Sequence, residues 1–262
     1  MKPRSVVFLA PKQGNSEQEW EDCAAGSPGV PGRGGNPRYI VADGATEAYD
    51  SLRWVNQLAS SFIGVDAPEL TPESLRRWFA QMQELWNTEA PARASYIEER
   101  KFAQGSFATF LGCELVDLAG RRPAWRAAAL GDTVLFHVRG GRLVAHFPAL
   151  RAQDFGLNPD GVHTSPDRLD HMVGKLRFAS GEIAAGDLLF LATDAFAQWM
   201  IRFIEADGLK LWQVLSRLDH PLSFERMINT QRDAGKMKDD DVTLLRVHLV
   251  TDNPAFIVTC LP

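Results

Sequence analysis

Apolar positions along this chain follow two rhythms that alternate in blocks. Val6-Val7-Phe8-Leu9-Ala10 is a short continuous apolar run closed by Pro11, and it predicts a first strand over residues 5–10. Asp22-Cys23-Ala24-Ala25 predicts a second, shorter strand. Residues 26–37 hold five glycines and three prolines, which marks a loop joining two strands as a hairpin. Arg38 to Ala42 forms a third strand that runs directly into Asp43-Gly44. The rhythm then becomes helical, with Leu52, Val55, Leu58, Ala59 and Phe62 on one face of a helix predicted over about 47–63. Thr71-Pro72 starts another helix, Thr as the cap and Pro in the first turn. Its stripe of Leu75, Trp78, Phe79, Met82, Leu85 and Trp86 reads as core. A shorter helical piece covers about 94–101.

From residue 106 the period returns to that of strands. Residues 106–118 are rich in Phe, Thr, Val and Leu, 125–130, 133–138 and 143–147 are further strand-like runs, and Gly140-Gly141 between the last two predicts a tight hairpin. Residues 148–181 carry Pro148, Pro159 and Pro166 and show little periodicity, so they read as an irregular insert of the kind that serves a function. A buried strand over 188–192, helices over about 196–206, 209–218 and 223–234, and a strand over 242–250 complete the chain. Strands, helices, strands, helices, strand is the order of a layered α+β domain. No internal boundary stands out, so residues 1–262 are expected to form one domain.

Bulk properties narrow the function. With 45% of residues hydrophobic, 7 Trp and 15 Phe, there is material for a large core. A net charge of −5 argues against nucleic acid or an anionic membrane surface as partner, since both need a basic face. Cys23, Cys113 and Cys260 are odd in number and lack metal-type spacing, which fits a reducing compartment. The N-terminal apolar run is too short for a secretion signal or a membrane span. A cytoplasmic protein is expected.

The candidate chemistry is carboxylate. Acidic residues recur where apolar strands begin or end, at Glu21-Asp22, Asp43, Asp132, Asp194 and Asp239-Asp240-Asp241. Brought together, such groups repel strongly unless cations stand among them. Oxygen donors suit hard cations such as Mg²⁺ or Mn²⁺, and Gly44 leaves its carbonyl free to turn toward the same point. A pair of ions about 3.5–4 Å apart can activate one water against a phosphoryl group.

The order and wording of these segments resemble a known family. Glu21-Asp22, Val41-Ala42-Asp43-Gly44, Gly105-Ser106-Phe107-Ala108-Thr109, Ala129-Leu130-Gly131-Asp132-Thr133, the run from Gly186 to Asp194 ending in Thr193-Asp194, and Asp240-Asp241-Val242-Thr243 follow the motif order of the metal-dependent serine/threonine protein phosphatases of type 2C, the PPM family, in its bacterial form. The resemblance spans residues 17–250. It implies a β-sandwich of two antiparallel sheets flanked by helix pairs, a four-layer α-β-β-α fold with the metals at one edge. It implies hydrolysis of phosphoserine and phosphothreonine in proteins through a water bridging two Mn²⁺ or Mg²⁺ ions. Asp43 would bridge both ions and the Gly44 carbonyl would bind one. Asp194 and Asp240 would hold the other, with Glu21 and Asp22 completing the shell, one directly and one through water. Asp132 matches a position linked to a third ion, and the 148–181 insert matches the family's flap. A phosphoprotein substrate, a partner serine/threonine kinase and a monomeric state are further expectations.

The chain also departs from the family. Glu17 stands where an Arg usually binds the substrate phosphate, and Arg38 and Arg53 are the nearby cations that could take its place. Ala45-Thr46 follow the Asp-Gly pair where eukaryotic members carry a His. Gln198 replaces a third-metal Asp, and Ala195 replaces a Gly. Asp239 and Asp241 compete with Asp240 in register. These departures keep open a second reading, a phosphatase-fold module that binds a signalling partner with weak or no catalysis.

Overall fold

A computed structural model describes residues 1–14, 20–29, 35–46, 48–88, 96–156, 159–206, 210–251 and 257–260, with side chains at 96–99 and 257–260 left out. Two sheets dominate it. The first has six strands in the order β13-β1-β12-β11-β7-β8, namely β13 (Ile257–Cys260), β1 (Lys2–Ala10), β12 (Val242–Val250), β11 (Leu188–Ala192), β7 (Val134–Arg139) and β8 (Arg142–Phe147). The second has five, β10-β6-β5-β3-β2, namely β10 (Arg177–Glu182), β6 (Ala124–Leu130), β5 (Phe110–Val116), β3 (Arg38–Asp43) and β2 (Asp22–Ser27). All pairings are antiparallel except β1 with β13. A two-stranded ribbon pairs β4 (Phe107–Ala108) with β9 (Val162–His163).

The near-continuous apolar strands are explained by burial on both faces. In β3, Tyr39 and Val41 point between the sheets, while Ile40 and Ala42 point to the helices outside. In β12 the same alternation sends Leu245 and Val247 inward and Val242 and Leu244 outward. The inter-sheet layer is completed by Leu111, Leu115, Trp125, Leu135, Leu189 and Leu191. Helices α1 (Ser51–Phe62) and α2 (Pro72–Thr88) cover the five-stranded sheet through Trp54, Leu58, Phe62, Trp78 and Phe79. Helices α5 (Asp194–Glu205), α6 (Leu211–Arg217) and α7 (Pro221–Asp233) cover the six-stranded sheet through Phe196, Met200, Trp212, Leu215 and Phe224. The α-β-β-α layering and the two antiparallel sheets are thus those expected. Among the described residues no helix is long and apolar enough to cross a membrane.

Several elements differ from the pattern-based reading. The insert at 148–181 is not structureless: it holds β9, α4 (Leu169–Lys175) and β10, and β10 extends the five-stranded sheet along β6. β10 escapes detection because it is an edge strand whose residues are mostly exposed. Side chains from the helices pin the rest of the insert. Trp54 Nε1 donates to the Val162 carbonyl at 2.8 Å, and Gln83 Nε2 donates to the carbonyls of His163 and Ser165, both at 2.9 Å. That duty explains why Gln83 is buried on α2 while Leu85, assigned to the core stripe, is exposed. The first helix begins at Ser51 rather than near 47, because Asp50 adopts a left-handed backbone with φ of 50°. Glu47, Glu89, Ala94 and Leu209, at other expected helix ends, lie outside the described residues.

Candidate metal centre

Five elements present carboxylates to the same edge of the sandwich. Asp22 opens β2 and stands opposite Asp43, the last residue of β3, in the strand register. Asp132 sits in the β6–β7 turn, Asp194 opens α5 directly after β11, and Asp240 lies just before β12. Asp43 lies within charge range of Asp22, Asp132, Asp194 and Asp240. A cleft of about 450 Å³ opens here, lined by Asp43, Gly44, Asp194, Asp240 and Lys238 and by Gly156, Pro159 and His163 of the flap. Asp22 and Asp132 stand behind this surface, 2% and 5% exposed.

Threonines of the quoted motifs hold the acids in place. Asp43 N donates to Thr109 Oγ1 at 3.1 Å, and Thr109 N donates back to the Asp43 carbonyl at 2.8 Å. Thr109 Oγ1 in turn shares a 2.6 Å hydrogen bond with Thr133 Oγ1, which ties Asp43 to the turn carrying Asp132. On the other side, Thr193 Oγ1 donates to Asp22 Oδ2 at 3.0 Å and accepts from Thr243 N at 3.0 Å, joining β2, β11 and β12. Asp194 occupies the first turn of α5, where the helix dipole favours an anion. Gly44 is required by close approach, since a Cβ there would come 2.7 Å from the Glu21 carbonyl oxygen.

The acidic run before β12 is resolved by its partners. Asp241 accepts the amides of Lys12 (2.9 Å) and Glu21 (3.1 Å), so its carboxylate stitches three chain segments together. Asp239 accepts the Gln13 amide and stands 3.5 Å from Arg232 Nε. Asp240 faces the cleft. Glu21 accepts from Ser51 Oγ at 3.0 Å, while its own amide goes to Asp241.

Charge crowding leaves its mark on these groups. Burial, and then Asp22 and the other acids, hold the Asp43 carboxyl well above the usual carboxylate range. Burial and Asp241 do the same to Asp22. Burial first, with Asp240 adding to it against the opposing pull of Lys238, raises Asp194. Burial and Asp194 push Asp132 up to about 7. Both Asp132 oxygens are buried without a hydrogen-bond partner. Such a set is under-neutralised, and an all-oxygen donor set with orphaned carboxylate oxygens fits a hard divalent cation. Among the described residues no three His, Cys, Asp or Glu side chains are already arranged as a closed ligand group. Instead Lys238 Nζ reaches Asp194 Oδ2 at 3.2 Å and also contacts Asp240 Oδ2.

Other candidates fall away from the cleft. Arg38 is at the opposite end of β3 from Asp43, roughly 17 Å along the strand, and pairs with Glu114 at 3.0 Å and the Pro68 carbonyl. Arg53 stacks 4.6 Å over the Trp86 ring. Gln198 donates to the Ala152 carbonyl at 2.9 Å and so serves the flap. Glu17 lies outside the described residues. Burial and Asp22 push the Cys23 thiol up to about 12, which makes it a poor nucleophile. Two cleft residues had no sequence signal. Lys238 precedes three aspartates that are the candidates of that run, and His163 lacks any ligand spacing.

Comparison with known proteins gives no match to any family model and none to a curated protein. Solved structures do match over nearly the whole chain. The photosystem II phosphatase PBCP aligns with a TM-score of 0.56 at 15% identity, covering 94% of this chain and 98% of its own. PppA, a regulatory component of the type VI secretion system in Pseudomonas aeruginosa, aligns at 0.56 and 17%, covering 95% and 98%. The catalytic domain of the serine/threonine protein phosphatase PstP, solved with two manganese ions, aligns at 0.59 and 13%, covering 95% and 99%. At these identities the likeness is one of fold, and the fold is that of the PPM-type phosphatases.

Proposed function

We propose that the chain is a bacterial-type PPM phosphatase, a Mn²⁺- or Mg²⁺-dependent hydrolase of phosphoserine and phosphothreonine in proteins, built as one domain. The observation that carries this reading is the meeting of Asp43, Asp194 and Asp240 on one cleft, backed by Asp22 and by Asp132 with its two orphaned oxygens. Asp43, the Gly44 carbonyl, Asp194 and Asp240 would hold two ions, with Glu21 and Asp22 behind them and Asp132 placed for a weaker third. Ions bound there supply a lowered water pKa and neutralise charge developing on a transferred phosphoryl group.

The chain's own residues then have distinct tasks. The Thr109–Thr133 pair fixes the Asp43 backbone, and Thr193 orients Asp22, so the carboxylates need little reorganisation. Gly156, Pro159 and His163 wall the cleft from the flap side and face the peptide flanking a phosphorylated residue. Ala45 and Thr46, after the Asp-Gly pair, offer no acid, so the leaving alkoxide takes its proton from solvent. Pairing with a serine/threonine kinase and a cytoplasmic setting belong to the same proposal.

The test is turnover of an aryl phosphate and of a phosphothreonine peptide with added Mn²⁺. Activity in the wild type that persists undiminished in Asp43→Asn would sink the mechanism. A second reading, a partner-binding module without catalysis, is favoured by Glu17, by Gln198 and by the Lys238 contacts. Calorimetric Mn²⁺ binding with no turnover of any phosphopeptide would support it instead.

A further inference from the structure

Lys238 lines the cleft, and neither the fold nor the proposed reaction requires it. Its ammonium sits between the carboxylates of Asp194 and Asp240, 3.2 Å from Asp194 Oδ2 and in contact with Asp240 Oδ2. Its side chain is half-exposed, yet the backbone it leaves is held in place. The loop that carries it is fastened by Arg232, whose guanidinium donates to the carbonyls of Pro11 at 2.7 Å and of Asp240, and stands 3.5 Å from Asp239. The amides of Gly235 and Lys236 close back onto the Arg232 and Gln231 carbonyls at 2.8 and 2.9 Å. Lys238 therefore leaves a fixed loop, and its ammonium has two acceptors waiting.

A single positive charge does not satisfy this cluster. Asp132 keeps both oxygens unpartnered while 5% exposed, and it lies within charge range of Asp43, Asp194 and Lys238. The cluster is thus partly neutralised at one end, by a group of the chain itself, and still open at the other.

We propose that Lys238 is a tethered counter-ion that occupies the Asp194–Asp240 end of the site and must be displaced before a divalent cation binds there. This rests on the metal-dependent reading of the cleft. The consequence is competition: the apparent affinity for the ion is reduced by the fraction of time the ammonium holds the carboxylates. The side chain is 45% exposed, so solvent weakens both ion pairs, and their joint removal corresponds to roughly a tenfold effect on affinity. The Asp43–Gly44 end, which the ammonium does not touch, keeps its affinity.

Calorimetric titration of the full-length protein with Mn²⁺ tests this on wild type, Lys238→Met and Lys236→Met. Lys236 is an exposed neighbour on the same loop, so its removal changes net charge equally without vacating the carboxylates. Lys238→Met is expected to bind the ion at the Asp194–Asp240 end about tenfold more tightly, and Lys236→Met to stay within about twofold of wild type. Melting in chelator adds a second readout: Lys238→Met should melt lower than wild type without metal, and Mn²⁺ should abolish the difference. Equal affinities in wild type and Lys238→Met, or an equal gain in Lys236→Met, overturn the proposal while leaving the metal-dependent reading intact. No Mn²⁺ binding by any of the three proteins overturns both. Binding as expected without phosphatase turnover overturns only the enzymatic reading and supports this one.

Discussion

Asp22 and Asp43 face each other directly across the antiparallel pair β2–β3, two carboxylates at one register position at the edge of a sheet. Like charges placed so are destabilising, and here burial adds to the repulsion, since both groups are held above the ordinary carboxylate range. Removing one charge should therefore help the fold while harming the site. Asp43→Asn is expected to melt higher than wild type in chelator, by roughly 2–4 °C for each kcal/mol of relieved repulsion. Mn²⁺-dependent hydrolysis should fall at least about a hundredfold, because loss of even an outer-shell partner of a metal typically costs 10- to 100-fold. Thermal melts and aryl phosphate turnover on the same preparation check both signs. A variant that loses stability along with activity would show Asp43 to be a structural residue.

The pH dependence of the metal-free protein follows from the same crowding. A carboxyl whose pKa is higher folded than unfolded binds more protons in the native state between those two values. Stability then falls as pH rises through that window. For Asp132 the window runs from 3.8 to about 7, and Asp22, Asp43 and Asp194 shift in the same direction. In chelator the protein should be more stable at pH 5 than at pH 8, and saturating Mn²⁺ should flatten or invert that slope. Denaturant melts at the two pH values, with and without Mn²⁺, measure it. A metal-free protein that gains stability steadily from pH 5 to 8 would contradict the crowding.

How much of this was legible in the sequence depends on which physical signal each part leaves. The strands buried on both faces announce themselves as apolar runs, and helices such as α1 and α2 by their stripes, so the layered α+β order was readable. The Asp-Gly pair at 43–44 could be placed at a strand end because the run before it is apolar. β10 was not readable, since an exposed edge strand such as Arg-Phe-Ala-Ser-Gly-Glu carries no alternation. Nor could spacing choose among Asp239, Asp240 and Asp241, because the choice rests on partners far away in sequence, the amides of Lys12 and Glu21. Arg38 and Arg53 were close to Asp43 in sequence only. Strand β3 carries Arg38 away from the cleft, and helix α1 turns Arg53 onto Trp86. Lys238 drew no reading beside the three aspartates that follow it, and the fold sets it between Asp194 and Asp240.

Gly44 gives a prediction with its own internal control. A Cβ at this position would lie 2.7 Å from the Glu21 carbonyl oxygen and 2.9 Å from Ser51 Cβ, and the first of these is backbone that cannot rotate away. Gly44→Ala should cost about 1–3 kcal/mol as an overpacking substitution, and should weaken Mn²⁺ binding by moving the Asp43–Glu21 junction. Gly174 lies within α4 and a Cβ there meets nothing within 4 Å. Gly174→Ala should instead be neutral or stabilising by up to about 1 kcal/mol. Chemical denaturation of the two variants beside wild type decides it. Equal stabilities for Gly44→Ala and wild type would mean that the close approach is not maintained in solution.

The flap is held by Gln83, and its release separates substrate recognition from metal chemistry. Gln83 is 2% exposed, and its amide nitrogen serves the carbonyls of both His163 and Ser165 at 2.9 Å. Gln83→Ala leaves two half-buried carbonyls to find water or move, at no more than about 1–3 kcal/mol for each one left unpaired. Because Gln83 bonds the flap backbone and none of the carboxylates, Mn²⁺ affinity should stay within about twofold of wild type, short of the smallest losses expected for metal-shell changes. Hydrogen exchange should quicken at residues 162–165. The KM for a phosphothreonine peptide should rise more than the KM for a small aryl phosphate, since only the peptide extends onto the wall that carries Pro159 and His163. A parallel rise in both KM values, or a loss of Mn²⁺ affinity, would show that the flap supports the metal centre itself rather than the substrate's flanking chain.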